Sequence, residues 1–356
     1  MASRVVLHVG LMKSGTTFVQ RTLLANQAAL AEAGILFPGR HWRVQVSAVR
    51  DLIDNVSADA NTLAADGPWC SLVEQIRAWP GTAIISMEFL GPRTPAQVAA
   101  VVEAFADAEL EVVVTARDLA RSITSMWTES VQNRGTTSWH DYLHAIREDT
   151  GEGRGFWRQQ RVVTIVERWM QAVGRDHFTL ITVPPPGGPR GVLWERFAGV
   201  AGVPTELFDL ETRNNTGIDA PSALVMRALN ERVGEVDARD YDRFVKRGLG
   251  KRGLGKRPQP GPRVGLDEEW VLARSRRQID RLRELDPRVV GDLAELEAGA
   301  IPGVDPDDLG AEEQLEAALD GMAALVQLWA EDVNEREARA RKRRLRRKRN
   351  ERGQRP

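Results

Sequence analysis

Residues 4–23 read RVVLHVGLMKSGTTFVQRTL. An apolar run, Val5–Val9, leads into a loop of Gly, Lys, Ser and Thr, and a helical pattern starts at Thr16. A strand without alternation is covered on both faces, as in a parallel sheet. The layout is that of a phosphate-binding strand–loop–helix. Laid on the pattern G-x-x-x-x-G-K-[ST] of ATP- and GTP-binding loops, Gly10 and Gly15 fall correctly, but the lysine position holds Thr16. The lysine sits three residues earlier, at Lys13.

The rest of the chain repeats the strand–helix rhythm. Strands are expected at 34–39, 82–90, 111–118 and 177–189, the last halted by Pro184, Pro185 and Pro186. Helices are expected around 67–79, 95–108, 119–133 and 157–174. That alternation predicts an α/β fold, a parallel sheet flanked by helices with right-handed crossovers. Further helical stretches are expected at 220–245, 267–298 and 311–349, a C-terminal helical extension. Between the first two lies KRGLGKRGLGKRPQPGPR, 246–263, with KRGLG in tandem. Its Gly and Pro predict a cationic flexible loop whose charges are solvated. We divide the chain into an α/β domain over 1–300, a helix over 301–335 whose apolar face docks on the body, and a disordered tail over 336–356.

The phosphate chemistry is concentrated at two strand ends. Gly10 and Gly15 let the backbone turn and approach an anion, and the helix start points its N–H groups at it. Ser14, Thr16 and Thr17 add hydroxyl donors, and Lys13 adds a full charge. The fourth strand ends in TARDLARSITSMW, with Arg117 at its end and Ser125 eight residues on. A guanidinium offers a phosphate two parallel donors, and a serine hydroxyl adds a third. The competing reading of Arg117 is a salt bridge to Asp118 or a helical neighbour. Two phosphate sites on neighbouring strands imply a nucleotide with phosphates at both ends.

GLMKSGTT resembles the 5′-phosphosulfate loop of sulfotransferases, and Arg117 with Ser125 matches their 3′-phosphate pair. The resemblance is clearest over 1–130 and extends weakly to about 245. It implies the P-loop-NTPase-like sulfotransferase fold and a donor, 3′-phosphoadenylyl sulfate (PAPS), with PAP as product and no metal required. By resemblance, Lys13 stabilises the leaving oxygen, Ser14, Gly15, Thr16 and Thr17 hold the 5′-phosphate, and Arg117 and Ser125 hold the 3′-phosphate. The family's phenol and steroid enzymes use a histidine after the third strand, where this chain has ISMEFL. Glu88 there is similar to the glutamate of glycan and bacterial members, and so is the candidate base. Its alternative is a structural pairing with Arg117 or Lys13. TRNNTG, 212–217, resembles a segment that returns to the donor, through Arg213, Asn214 and Asn215; an ordinary turn is the other reading. The acceptor group, a hydroxyl or an amine, is left open among a glycan, a lipid and a small natural product.

Composition bounds the alternatives. The chain has 356 residues, 42% of them hydrophobic, and a net charge of −1. Residues 336–356 hold twelve Lys/Arg and two Glu, so the rest of the chain is acidic. Such a tail could hold anionic membrane or nucleic acid weakly, which keeps a non-catalytic binding module in view. A nucleotide kinase is the third reading, and it lacks the lysine at position 16. One cysteine, Cys70, excludes an internal disulfide and suits a reducing compartment. With neither a leader-like N-terminus nor a long apolar run, the expected location is cytoplasmic, and no obligate protein partner is expected. His140 and His144 have metal-ligand spacing but no evident third ligand. His8 reads as a core residue. Trp169 and Trp194 also read as core, whereas Trp127, Trp139 and Trp157 flank the segment expected to take the acceptor and are candidates for stacking on it.

Overall fold

The computed structural model describes residues 2–189, 191–205 and 217–353, with side chains through 338. In chain order the elements are β1 (Arg4–His8), α1 (Thr16–Ala25), α2 (Gln27–Glu32), β2 (Ile35–Leu36), α3 (Arg43–Asn55), α4 (Pro68–Arg77) and β3 (Thr82–Ser86). Then come α5 (Pro95–Ala104), β4 (Glu109–Ala116), α6 (Leu119–Gln132), α7 (Trp139–Glu148), α8 (Gly151–Gln160), α9 (Val162–Val173), β5 (Phe178–Thr182) and α10 (Val192–Ala201). The chain continues through α11 (Ala220–Arg232), α12 (Ala238–Asp240), α13 (Glu269–Leu285), β6 (Arg288–Val290) and α14 (Ala311–Gly353).

Six parallel strands form one sheet in the order β2-β3-β1-β4-β5-β6. This is the predicted α/β class. After β1 the chain crosses to the β2–β3 side, then passes back over β1 to β4. The direction of winding therefore reverses between β1 and β4, where open α/β sheets leave a crevice beyond their carboxyl ends. Both faces of the sheet are covered. Val5, Leu7, Ile85, Val112 and Val114 pack into one core with Leu52, Val101 and Trp169. Val6, Ile84, Val113 and Ile181 pack into the other with Val19, Leu23 and Phe197. The alternation along each strand sends neighbours to opposite faces, and both faces are dry.

The chain divides into two compact units: Met1–Met126 with Tyr142–Asn214 and Asp267–Ala300, and Trp127–Asp141 with Asn215–Leu266 and Ile301–Pro356. The first holds the sheet. Here the expected helix over 267–298 is interrupted: α13 ends at Leu285, Asp286 turns left-handed at φ 48°, and β6 follows. Pro287 explains the stop, since it cannot continue the helix and keeps its predecessor out of the helical region.

In the second unit the irregular loop expected over 246–263 is helical in its first half. Tyr241–Gly253 form a wide π-type helix, and Leu254–Lys256 add a 3-10 turn. The reason is the repeat itself. A helix bonded i→i+5 joins each residue to the one five positions on, and that step is the period of KRGLG. A Cβ on Gly248, Gly250, Gly253 or Gly255 would lie 3.1–3.7 Å from the carbonyl oxygen five residues earlier. Leu249 and Leu254 are buried, one above the other, while Lys251 and Arg252 face out. Against them lies the small-residue side of α14: a Cβ on Gly321 would reach 2.9 Å from Leu249 Cδ1, and Gly253 abuts Ala324. Arg257, itself buried, binds Asp219 at 3.0 Å and Asp320 at 2.8 Å and ties α14 to the cap of α11.

Candidate functional site

Beyond β1 the backbone stays on β4 for three residues, with Val9 N donating to Val113 O at 2.9 Å and Leu11 N to Thr115 O at 2.8 Å. It then turns. Lys13 adopts φ 64° and Gly15 φ 85°, both left-handed. For a lysine that conformation is uncommon and must be held by its surroundings. The glycines are needed for space as much as for freedom. A Cβ on Gly10 would lie 2.1 Å from Thr115 Oγ1, and one on Gly15 2.3 Å from Leu193 Cδ2. α1 starts at once, at Thr16. Its first N–H groups have no partner within the helix, so they are available to an anion.

Of the three hydroxyls assigned to the phosphate, Ser14's is turned inward. Its Oγ donates to Leu11 O at 2.5 Å and sits 2.7 Å from Thr115 Oγ1. Thr16 is buried and Thr17 exposed. Ser14 therefore shapes the loop, since its N–H also donates to Leu11 O, at 3.3 Å, which leaves the anion to the N–H groups that follow it. The network continues below: Thr115 Oγ1 meets His8 Nε2 at 3.0 Å, and His8 Nδ1 meets Ser86 Oγ at 2.7 Å. Burial pushes the His8 pKa down to about 3, so the imidazole is neutral at neutral pH. One proton direction satisfies every member. Ser86 donates to Nδ1, Nε2–H donates to Thr115, Thr115 donates to Ser14, and Ser14 donates to Leu11 O. His8 is thus a core residue, as the sequence suggests, and also the link joining β3, β1, β4 and the loop.

Glu88 begins the turn Glu88–Leu90 directly after β3. Gln20, buried on α1, donates to Glu88 Oε2 at 2.7 Å and to Ser86 O at 3.0 Å. Its amide fixes the carboxylate at the sheet edge. A second glutamine, Gln160 at the end of α8, donates to Met12 O at 2.8 Å and braces the loop from outside. Neither glutamine stands out in the sequence, because each acts across 66 or more positions of chain.

At the end of β4, Arg117 and Ser125 do meet: Nη2 donates to Ser125 Oγ at 2.9 Å and to Arg121 O at 2.6 Å. Asp118 does not pair with Arg117 among the described contacts. It caps α6 by accepting from Arg121 N at 2.9 Å and pairs with the Arg121 side chain. The Arg117 pKa is lowered to about 10, chiefly by burial and then by the neighbouring Arg121 charge, against a raising effect of Asp118. It stays charged at neutral pH. Its Nε is buried with no hydrogen-bond partner. A desolvated guanidinium with an unspent donor and a like-charged neighbour favours an anion.

Other expectations part company with the structure. Trp127, Trp139 and Trp157 are not presented to an acceptor. They are at most 1% exposed, Trp127 against Trp139 at 5.3 Å and Trp157 donating to Ile146 O at 2.7 Å. Their spacing on helices serves the core, as for Trp169 and Trp194. His140 groups with Asp305 and Asp307 rather than with His144; its Nε2 lies 2.8 Å from Asp305 Oδ2, which raises its pKa. Arg213, Asn214 and Asn215 lie outside the described residues. Near Gln160 the sheet unit has a cleft of about 540 Å3 lined by Thr94, Arg154, Arg158, Arg161 and Arg168. Asp149 pairs with Arg161 there, and the Arg93 pKa is lowered by burial and by Arg158 and Arg168.

Neither a protein-family model nor a curated protein matches the chain. Among solved structures, a sulfotransferase from Alicyclobacillus acidocaldarius aligns at 16% identity and a TM-score of 0.41, over 66% of this chain and 97% of that one. No helix among the described residues is long and apolar enough to cross a membrane.

Proposed function

We propose that the chain transfers a sulfuryl group from PAPS to an acceptor hydroxyl. The observation that carries this reading is the pair of anion sites at the winding reversal. One is the left-handed Lys13 loop at β1; the other is Arg117 on Ser125 at the adjoining β4. A nucleotide phosphorylated at both 5′ and 3′ ends suits such a pair. The loop resembles that of a sulfotransferase, and Thr16 in place of the usual lysine weighs against a kinase.

In this reading the N–H groups of Gly15, Thr16 and Thr17 hold the 5′-phosphate, and Arg117 and Ser125 hold the 3′-phosphate. The acceptor oxygen attacks sulfur as the sulfur–oxygen bond to the 5′-phosphate breaks. Lys13 stabilises charge growing on the oxygen that leaves with PAP, and Glu88, held by Gln20, takes the acceptor proton. The transition state is loose and in line, so positioning and fixed charge carry most of the catalysis. Arg213 and Asn215 would add donor contacts. The cationic cleft suits an acceptor bearing an acidic group. The chemistry requires no metal.

A thermal-shift titration tests this. PAP with EDTA is expected to stabilise the fold by about 2.7 kcal/mol at a hundredfold excess over its dissociation constant. A larger response to ATP with Mg2+ than to PAP overturns the reading.

A further inference from the structure

The C-terminal helix leaves its largest apolar side chains in solvent. Leu315, Leu319, Met322, Val326, Trp329 and Val333 are all exposed, Val326 by 65% and Trp329 by 72%. A helix with an apolar face is expected to dock by that face; α14 instead docks by Ala317, Gly321 and Ala324. The exposed six are spaced four, three, four, three and four residues apart. That is the a/d repeat of a coiled-coil seam, narrower than the broad stripe of a helix lying on a globular body. Ala323 and Ala330 flank it and let a second helix approach closely. Among the described residues, the other exposed large hydrophobics are Trp42, Phe244 and Leu325; Leu325 is 37% exposed and lies toward Gly248 on the docked side, so the three form no second stripe.

We propose that this seam pairs with the same seam of a second copy, antiparallel, so that the protein is a dimer through α14. In antiparallel coiled coils a positions pack on d positions. One register then uses all six residues: Leu319 on the partner's Trp329, Val326 on the partner's Met322, and Val333 on the partner's Leu315. Extending that register one layer outward sets Glu312 against the partner's Arg336 at each end. A parallel pair would oppose like charges in both layers and lay two tails of twelve Lys/Arg side by side. Charge also disfavours a lipid surface as the occupant. Residues 311–335 carry seven Asp/Glu and no Lys/Arg, so an anionic bilayer would repel the stretch that holds the seam.

Sedimentation equilibrium of the full chain tests the pairing. A dimer is expected, and Trp329→Glu is expected to weaken it by roughly a hundredfold, the scale of burying an unpaired charge. PAP binding and the circular dichroism spectrum, unchanged, would report that the variant is folded. Glu312→Arg and Arg336→Glu are each expected to weaken the dimer, and together to restore it. A monomer at all concentrations overturns the proposal, as does one that binds phosphatidylserine vesicles through Trp329. Restoration failing, with Val326→Cys crosslinking to itself, overturns the antiparallel register.

Discussion

Two stretches of this chain combine glycine with basic residues, and they fold to opposite ends. In GLMKSGTT, 10–17, the backbone turns left-handed at Lys13 and Gly15, and the loop opens N–H groups beyond a strand. In KRGLGKRGLG, 246–255, no glycine has positive φ; they stack at helical spacing and let Leu249 and Leu254 seat against α14. Composition alone gives both the look of an anion loop. What separates them is the element that precedes each. A buried parallel strand delivers the first loop to the winding reversal of a sheet, whereas α11 and α12 deliver the second into a helix pair.

Acid separates the two regions most strongly. His8 is depressed to about 3 in the folded chain against 6.5 when unfolded. Its contribution to stability is present above pH 6.5 and is lost as pH falls toward 3, in total about 5 kcal/mol. His140, in the other unit, is raised by Asp305, so its smaller contribution is complete below the ordinary histidine pKa and is lost as pH rises. Amide exchange followed from pH 7 to pH 4 should therefore open 8–20 before 241–256. The reverse order would remove His8 from the support of the loop.

Glu88→Gln should lower transfer roughly 10²–10⁴-fold while leaving PAP affinity within a few-fold. The amide keeps the hydrogen-bonding shape beside Gln20 and loses basicity. If stability and PAP binding fell together, Glu88 would be a structural partner instead of the base. Gly15→Ala should cost on the order of 3 kcal/mol, from left-handed backbone and collision with Leu193. Gly250→Ala should stay within about 1 kcal/mol, because helix propensity favours alanine and only the flexible end of Met226 must yield. Equal losses in urea unfolding would erase the contrast between the two glycine-rich stretches.

How far the sequence could be read follows the range of the interactions. Val5–Val9, Gly10, Gly15 and Thr16 are contiguous, so strand, loop and helix announce themselves. Arg117 and Ser125 are eight apart on one helical path, and they meet at 2.9 Å. The support beneath them is non-local. His8, Ser86, Thr115 and Ser14 come together from separations of 78, 107 and 101 residues. No local pattern marks Gln20 or Gln160, whose meaning lies in the carboxylate and carbonyl they reach. The tryptophans mislead because a large amphipathic ring reads the same whether it stacks on a ligand or fills a core. α14 misleads differently: its apolar face is evident in the sequence, but which face docks was decided by the small residues opposite the tandem repeat.

The central claim is that β4 supplies a 3′-phosphate site separate from the β1 loop. The direct measurement is calorimetric binding of PAP and of 5′-AMP to Arg117→Ala and to the parent chain. PAP should lose about 1.5–3 kcal/mol, the worth of hydrogen bonds to a charged group, while 5′-AMP should bind both proteins alike. Equal losses for the two nucleotides would place Arg117 away from the 3′-phosphate and contradict the assignment of two phosphate sites.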